Sequence, residues 1–293
     1  MGSTLASRAL GRLLEKYRKR ANVSKNAMAK AAETSPQTYG RLEDGLKHNV
    51  PDMVINALCD RLAVSNDERR LLLTLAAEAR KERKSGGKWW RAYIEDMQVD
   101  FDHFLNLEQS ARRATTVQIG LMPGLLQTTE YRRQLAWAGH PFWTPEEVER
   151  RLALATIRQE RLSDPDFEFE AILAEGLIRQ QTGGLAVISE QLHHILAVSE
   201  QPNVSVRVVP VTATNPIASV VDLCVLFEFG PLPSTKLIEP PVVFVEEFTG
   251  ALYLETEDHI DPYKDAIARA RQVALNTDAS RDFIRAVARE YSE

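Results

Sequence analysis

Ser24-Lys25-Asn26-Ala27-Met28-Ala29-Lys30-Ala31-Ala32-Glu33-Thr34-Ser35-Pro36-Gln37-Thr38-Tyr39-Gly40-Arg41-Leu42-Glu43-Asp44-Gly45 decides the fold of the first third of the chain. It reads as two short helices and a tight turn. The Ser24 hydroxyl caps the first helix, and Ala27, Met28 and Ala31 form an apolar stripe whose small members let a second helix come close. Ser35 followed by Pro36 restarts the chain, because a serine cap with proline at the first helical position suits an N-terminus. Tyr39 and Leu42 turn inward, Gly45 closes the helix, and Gln37, Thr38, Gly40 and Arg41 face outward. Such a face suits DNA: amide and guanidinium forks toward base edges in the major groove, backbone N–H groups and helix dipole toward phosphate. A solvated face on a plain helical bundle is the other reading of the same residues.

Around this stretch, apolar residues recur at helical spacing in Leu10/Leu13/Leu14/Tyr17, Val54/Ile55/Leu58/Leu62 and Leu71/Leu72/Leu75, which predicts an all-α head of five helices. The run Lys81-Glu82-Arg83-Lys84-Ser85-Gly86-Gly87-Lys88 ends a helix and opens a linker. The expected domains are therefore a head over 1–84, a linker over 85–100 and a body over 101–293. Charge divides the same way: residues 1–84 hold 17 Lys and Arg against 10 Asp and Glu, net +7, and the rest carries net −12 of the chain's −5. A basic module on an acidic one is the pattern of a nucleic-acid-binding head on a differently employed body.

The body changes texture, with β-rich runs at 167–173, 204–211, 220–229 and 242–248. Helical stretches are expected at 102–113, 128–138, 145–162, 185–198, 261–275 and 279–291. The fold class is thus an all-α five-helix head plus a larger α/β, or mixed α+β, C-terminal domain.

Residues 10–64 resemble the Cro/repressor-type (XRE) helix-turn-helix regulators, with Leu42-Glu43-Asp44-Gly45 standing where that family has its Ile/Leu-Glu-x-Gly ending. The resemblance implies a recognition helix over Pro36–Glu43, base contacts from Pro36, Gln37 and Arg41 with Thr38 close by, and a phosphate contact from Lys25, which opens the preceding helix. Ser35 caps the reading helix, Gly40 is either tolerated there or allows close approach to DNA, and the polar loop with Lys47 reaches phosphate or the minor groove, against an equally good reading as a plain solvated loop. The DNA-facing set is then Lys25, Ser35, Pro36, Gln37, Thr38, Gly40, Arg41 and Lys47. Two positions depart from the family: Lys25 replaces the usual glutamine, and Glu33 occupies a turn position usually held by glycine because it needs φ > 0, a strain of roughly 1–2 kcal/mol.

In the body, Pro123-Gly124-Leu125-Leu126-Gln127-Thr128 is too apolar for a solvated loop and too rich in glycine and proline for a helix. With Leu107-Glu108-Gln109, Arg158-Gln159-Glu160-Arg161-Leu162, Glu175-Gly176-Leu177 and Phe244-Val245-Glu246 it resembles an uncharacterised domain found behind XRE-type heads. Glu108, Gln127, Glu175 and Glu246 fall in these motifs and are candidates to line one ligand pocket, against a structural role for each. The pair His193-His194 with Glu190 does not make a chelate, since adjacent helix residues point about 100° apart. No Gly-x-Ser-x-Gly elbow, phosphate loop, dinucleotide fingerprint or His-Glu-x-x-His occurs, so no catalytic residue, metal or cofactor is expected and the chain reads as a non-enzyme.

Two distant cysteines, Cys59 and Cys224, make neither a disulfide framework nor a zinc site, and no apolar run approaches the roughly 18 residues of a membrane span. A cytoplasmic location follows as the expectation. The sequence thus points to a transcriptional regulator that binds operator DNA as a homodimer; the rival is a protein-interaction module with weak or no specific DNA binding. A small-molecule effector held in the body and, from the resemblance, a small acidic partner protein are the further expected partners.

Overall fold

The computed structural model describes residues 3–47, 49–85, 90, 93, 101–221, 223–247 and 250–291. The expected linker lies outside the described residues, apart from Ser85, Trp90 and Tyr93. Five helices open the chain: α1 (Leu5–Arg20), α2 (Lys25–Ala31), α3 (Pro36–Glu43), α4 (Asp52–Leu62) and α5 (Asn66–Ser85). Their ends follow from the sequence. Ser24 and Ser35 accept from the N–H groups of Ala27 at 3.2 Å and Thr38 at 3.1 Å, and Pro36 takes the first helical position. The turns that end α1 to α4 share one device, in which the residue after the last turn takes a left-handed conformation: Asn22 (φ 53°), Glu33 (φ 48°), Gly45 (φ 69°) and Ala63 (φ 48°). In each, two N–H groups reach back to orphan carbonyls, as with Glu33 to Lys30 at 3.1 Å and Thr34 to Ala29 at 2.9 Å. Only Gly45 adopts this conformation without the Cβ penalty. The helices bury a common core of Leu10, Leu14, Met28, Tyr39, Ile55, Leu58, Leu72 and Leu75, all at 0% exposure.

The remaining elements are α6 (Phe101–Ser110), β1 (Ala111–Gln118), α7 (Thr129–Gly139), α8 (Pro145–Gln159), β2 (Glu168–Ala174), α9 (Glu175–Arg179), α10 (Leu185–Val198), β3 (Val204–Val209), α11 (Ile217–Val220), β4 (Cys224–Phe229), β5 (Val242–Glu247), β6 (Gly250–Leu254), α12 (Glu257–Val273) and α13 (Thr277–Glu290). The strands form one six-stranded sheet in the order β3-β2-β1-β4-β5-β6. β1, β2 and β3 run parallel, with Thr115 opposite Glu170 and Ile172 opposite Arg207. β5 is antiparallel to both β4 and β6. One side of the sheet packs Val117, Ile172, Leu226 and Val243 against Ile260, Ile267 and Ala270 of α12.

An all-α head and a mixed α/β body are therefore present as expected, with local corrections. The helix expected over 102–113 stops at Ser110, because Ala111–Arg113 begin β1, and β6 was not foreseen. The run at 220–229 divides into the last turn of α11 and β4.

The compact units cut the chain differently from linear borders at 84 and 101. One contains residues 1–92, 100–110 and 229–239; the other contains 93–99, 111–228 and 240–293. The helical head thus counts among its own residues α6 and the connection between β4 and β5.

Candidate nucleic-acid interface

α3 buries Tyr39, Leu42 and Glu43 and exposes Pro36, Gln37 and Arg41, with Thr38 and Gly40 half-buried. The division is the one its sequence spacing demands. α1 fixes it from behind at three points. Ser7 Oγ donates to the Gly45 carbonyl at 2.7 Å. Gly11 has no side chain because a Cβ there would collide with the Glu43 carbonyl and lie 2.6 Å from that of Leu42. Arg18 donates through Nε and Nη2 to the two Glu43 carboxylate oxygens, at 2.5 and 3.1 Å. Burial pushes the Glu43 carboxyl up, but the Arg18 guanidinium, together with Tyr39 and Lys25, outweighs it and holds the pKa below its ordinary value. Burial, then the adjacent carboxylate, push the Tyr39 phenol up, so it stays neutral.

Electrostatics separate the charges of the head. Several cations pair with carboxylates of the same unit: Arg12 with Glu239, Lys19 with Glu15, Arg20 with Glu68, Arg69 with Asp60, Arg70 with Asp67 and Arg80 with Asp52. The Arg20 guanidinium and the Ser65 N–H push Glu68 down to about 2. Arg41 on the exposed side of α3 and Lys47 just beyond it have no ion pair among the described residues. Their charge is therefore available to an outside anion.

Two of the expected contact residues also have partners within the head. Lys25 Nζ lies 3.3 Å from Glu43 Oε2 and ties α2 to α3, with 47% of its side chain exposed. The Ser35 and Thr38 hydroxyls lie 2.9 Å apart and cap α3. Gln37, Gly40, Arg41 and Lys47 keep accessible faces, and a Cβ on Gly40 would meet nothing within 4 Å. Sequence reading missed Ser7, Gly11 and Arg18, whose partners are 25 to 38 residues away in the chain for the two hydrogen-bonded ones. Only the glycine inside an otherwise apolar stripe of α1 signalled a close approach.

The residues expected to line a ligand pocket each have surroundings of their own. Gln127 donates to the Met122 carbonyl at 2.7 Å and accepts from Arg132 at 2.9 Å. Glu175 accepts from the N–H of Val211 and from Arg179, both at 2.9 Å. Glu246 is exposed at the end of β5, and Glu108 is buried in α6, which belongs to the other compact unit. The Pro123–Thr128 turn is a scaffold: Gln159 donates to the carbonyls of Gly124 and Gln127, at 3.1 and 2.5 Å, and Gln191 to that of Leu126 at 2.6 Å. Among the described residues, no group of three His, Cys, Asp or Glu side chains is placed to hold a metal ion. No described helix is long and apolar enough to cross a membrane.

Two short helices held at a fixed angle, with an exposed polar face on the second, define a helix-turn-helix protein. Residues 9–72 match the helix-turn-helix domain family, which points to DNA binding and transcription regulation. Residues 101–286, more than half the chain, match the domain of unknown function DUF5753, and the protein belongs to that family. No curated protein and no solved structure matches the chain.

Proposed function

We propose that the protein is a cytoplasmic, sequence-specific transcriptional regulator of the Cro/repressor (XRE) type, acting by binding and not by catalysis. The observation that carries this reading is the pairing of Gln37 and Arg41 on the exposed side of α3, with Arg41 and Lys47 left without internal carboxylates. Gln37 and Arg41 read base edges, Lys47 meets phosphate, and the Pro36 end of α3 offers its backbone N–H groups. Lys25 serves through Glu43.

A single reading helix covers few base pairs, so useful affinity calls for two half-sites and a homodimer. The two ends of the sheet differ in a way that supports pairing through the second unit. The outer edge of β3 is covered at Val208, which donates to Ser280 Oγ at 2.9 Å and accepts from the Leu275 N–H at 2.8 Å. β6 ends the sheet with Gly250-Ala251-Leu252-Tyr253-Leu254, a strand with no charge or proline and with Leu252 exposed. The C-terminal domain also serves as the site of a small-molecule effector or an acidic partner protein.

Selection of bound fragments from random DNA at rising salt tests the reading. A recovered motif with two half-sites, lost steeply as salt rises, is the expected result. Pools without any motif, with the protein sedimenting as a monomer, favour the protein-interaction module instead.

A further inference from the structure

β4 and β5 are antiparallel neighbours, with Phe227 opposite Val242. Two to five residues suffice for such a connection. The chain runs instead through residues 228–241, and 229–239 pack in the same compact unit as the helical head. This arm folds on itself: the Leu232 N–H donates to the Leu237 carbonyl at 2.8 Å, the Lys236 N–H returns to the Leu232 carbonyl at 3.0 Å, and Pro231 bridges Ile238. Leu232, 2% exposed, joins the apolar core of the head, and Leu237 packs against that core. Polar contacts fasten the rest. The Ser234 N–H donates to Glu78 of α5 at 3.3 Å, and Arg12 of α1 donates to the buried Glu239 at 2.5 Å.

Arg12 adjoins Gly11, the residue whose missing side chain admits the Glu43 carbonyl, and shares α1 with Ser7 and Arg18, which hold the end of α3. The arm therefore holds the helix that holds α3. Both ends of the arm are strands of the sheet, and the whole segment lies within the DUF5753 match, not the helix-turn-helix match.

We propose that residues 229–239 are a coupling strap: docked through Leu232 and the Arg12–Glu239 pair, they keep α1 where it fixes α3. A rearrangement at the facing ends of β4 and β5 then reaches the DNA-facing helix through the chain itself. The regulatory part of this inference rests on the DNA-binding reading above.

The test uses the full chain and three variants: Glu239→Arg, the milder Glu239→Gln, and Glu239→Arg combined with Arg12→Glu. Charge alone predicts that Glu239→Arg tightens DNA binding, since it adds two positive charges to the head. The strap predicts the opposite, about tenfold weaker binding to the selected site, with recovery to within about threefold in the reversed pair. Amide exchange in α1 should quicken by about tenfold in Glu239→Arg and Glu239→Gln, return in the reversed pair, and stay unchanged in β2 and β5. Tighter binding by Glu239→Arg, or wild-type exchange of α1 in both single variants, overturns the strap. Should the wild-type protein select no DNA motif, the DNA-binding reading fails, and the exchange pattern alone supports or overturns the strap.

Discussion

Arg18 holds the carboxylate of Glu43 with two donors of one guanidinium, Nε to Oε1 at 2.5 Å and Nη2 to Oε2 at 3.1 Å, while Glu43 keeps 2% of its side chain exposed. With Lys25 at 3.3 Å, three helices meet on one buried charge. Removing that charge leaves the Arg18 fork unpaired, so Glu43→Gln should cost about 3 kcal/mol in urea unfolding. Arg18→Lys should not preserve the contact, because an ammonium lacks the planar fork. The folded pKa of Glu43 lies below its ordinary value of 4.5, so the stabilisation is complete above that value and is lost as pH falls through the folded pKa. The gap between wild type and Glu43→Gln should accordingly hold above pH 4.5 and narrow as pH falls from there through the folded pKa.

Glu33 sits at φ 48° in the turn between α2 and α3, where a Cβ is strained and glycine is not. Glu33→Gly should raise stability by about 0.5–1 kcal/mol, the relief of strain exceeding the extra freedom of the unfolded chain. A fall in thermal midpoint would show that the Glu33 side chain supports the turn.

Gly40 lies inside α3 with open space where a Cβ would stand. In the free protein Gly40→Ala should therefore stabilise by about 0.5–1 kcal/mol, the ordinary helix preference. Bound to DNA the same methyl meets the groove if α3 docks there, so affinity should drop while stability rises. Unchanged affinity would place Gly40 away from the interface.

Glu170, 4% exposed on β2, gathers Arg271 at 2.6 and 2.8 Å, Arg113 at 3.1 Å and Arg207 at 3.4 Å. Burial pushes its carboxyl up, and the Arg271 hydrogen bonds, then the Arg113 charge, bring it below the ordinary value. Glu170→Gln should cost about 3 kcal/mol, measured by denaturant unfolding at neutral pH, and the cost should shrink below about pH 4.5 as the wild-type carboxylate protonates.

What was legible in the chain was local. Caps such as Ser24 and Ser35 and the inward pair Tyr39 and Leu42 follow from neighbours within four residues, the left-handed turn at Glu33 from the resemblance, and these shape the face that presents Gln37 and Arg41. β1 was hidden because Arg112 and Arg113 continue a helical pattern, and its extended form is set by pairing with Glu168–Leu173 more than 50 residues on. β6 sets only Tyr253, a strand former, among Gly, Ala and Leu, and takes its form from β5. The Pro123–Thr128 motif marked a position but not a role, since its carbonyls are satisfied by Gln159 and Gln191. The Glu43 partner of Lys25 was hidden for the same reason, lying 18 residues away. The arm at 229–239 has the composition of a surface loop, and only folding shows Leu232 in a helical core.

Arg41 on the open side of α3 tests the central claim most directly. Fluorescence anisotropy of wild type and Arg41→Ala, on the selected DNA site and on mixed-sequence DNA at one salt concentration, separates reading from mere attraction. Sequence-specific binding predicts a loss of roughly 1–3 kcal/mol on the selected site with mixed-sequence binding nearly intact. An equal loss on both, or no preference for any sequence by the wild-type protein, would contradict it.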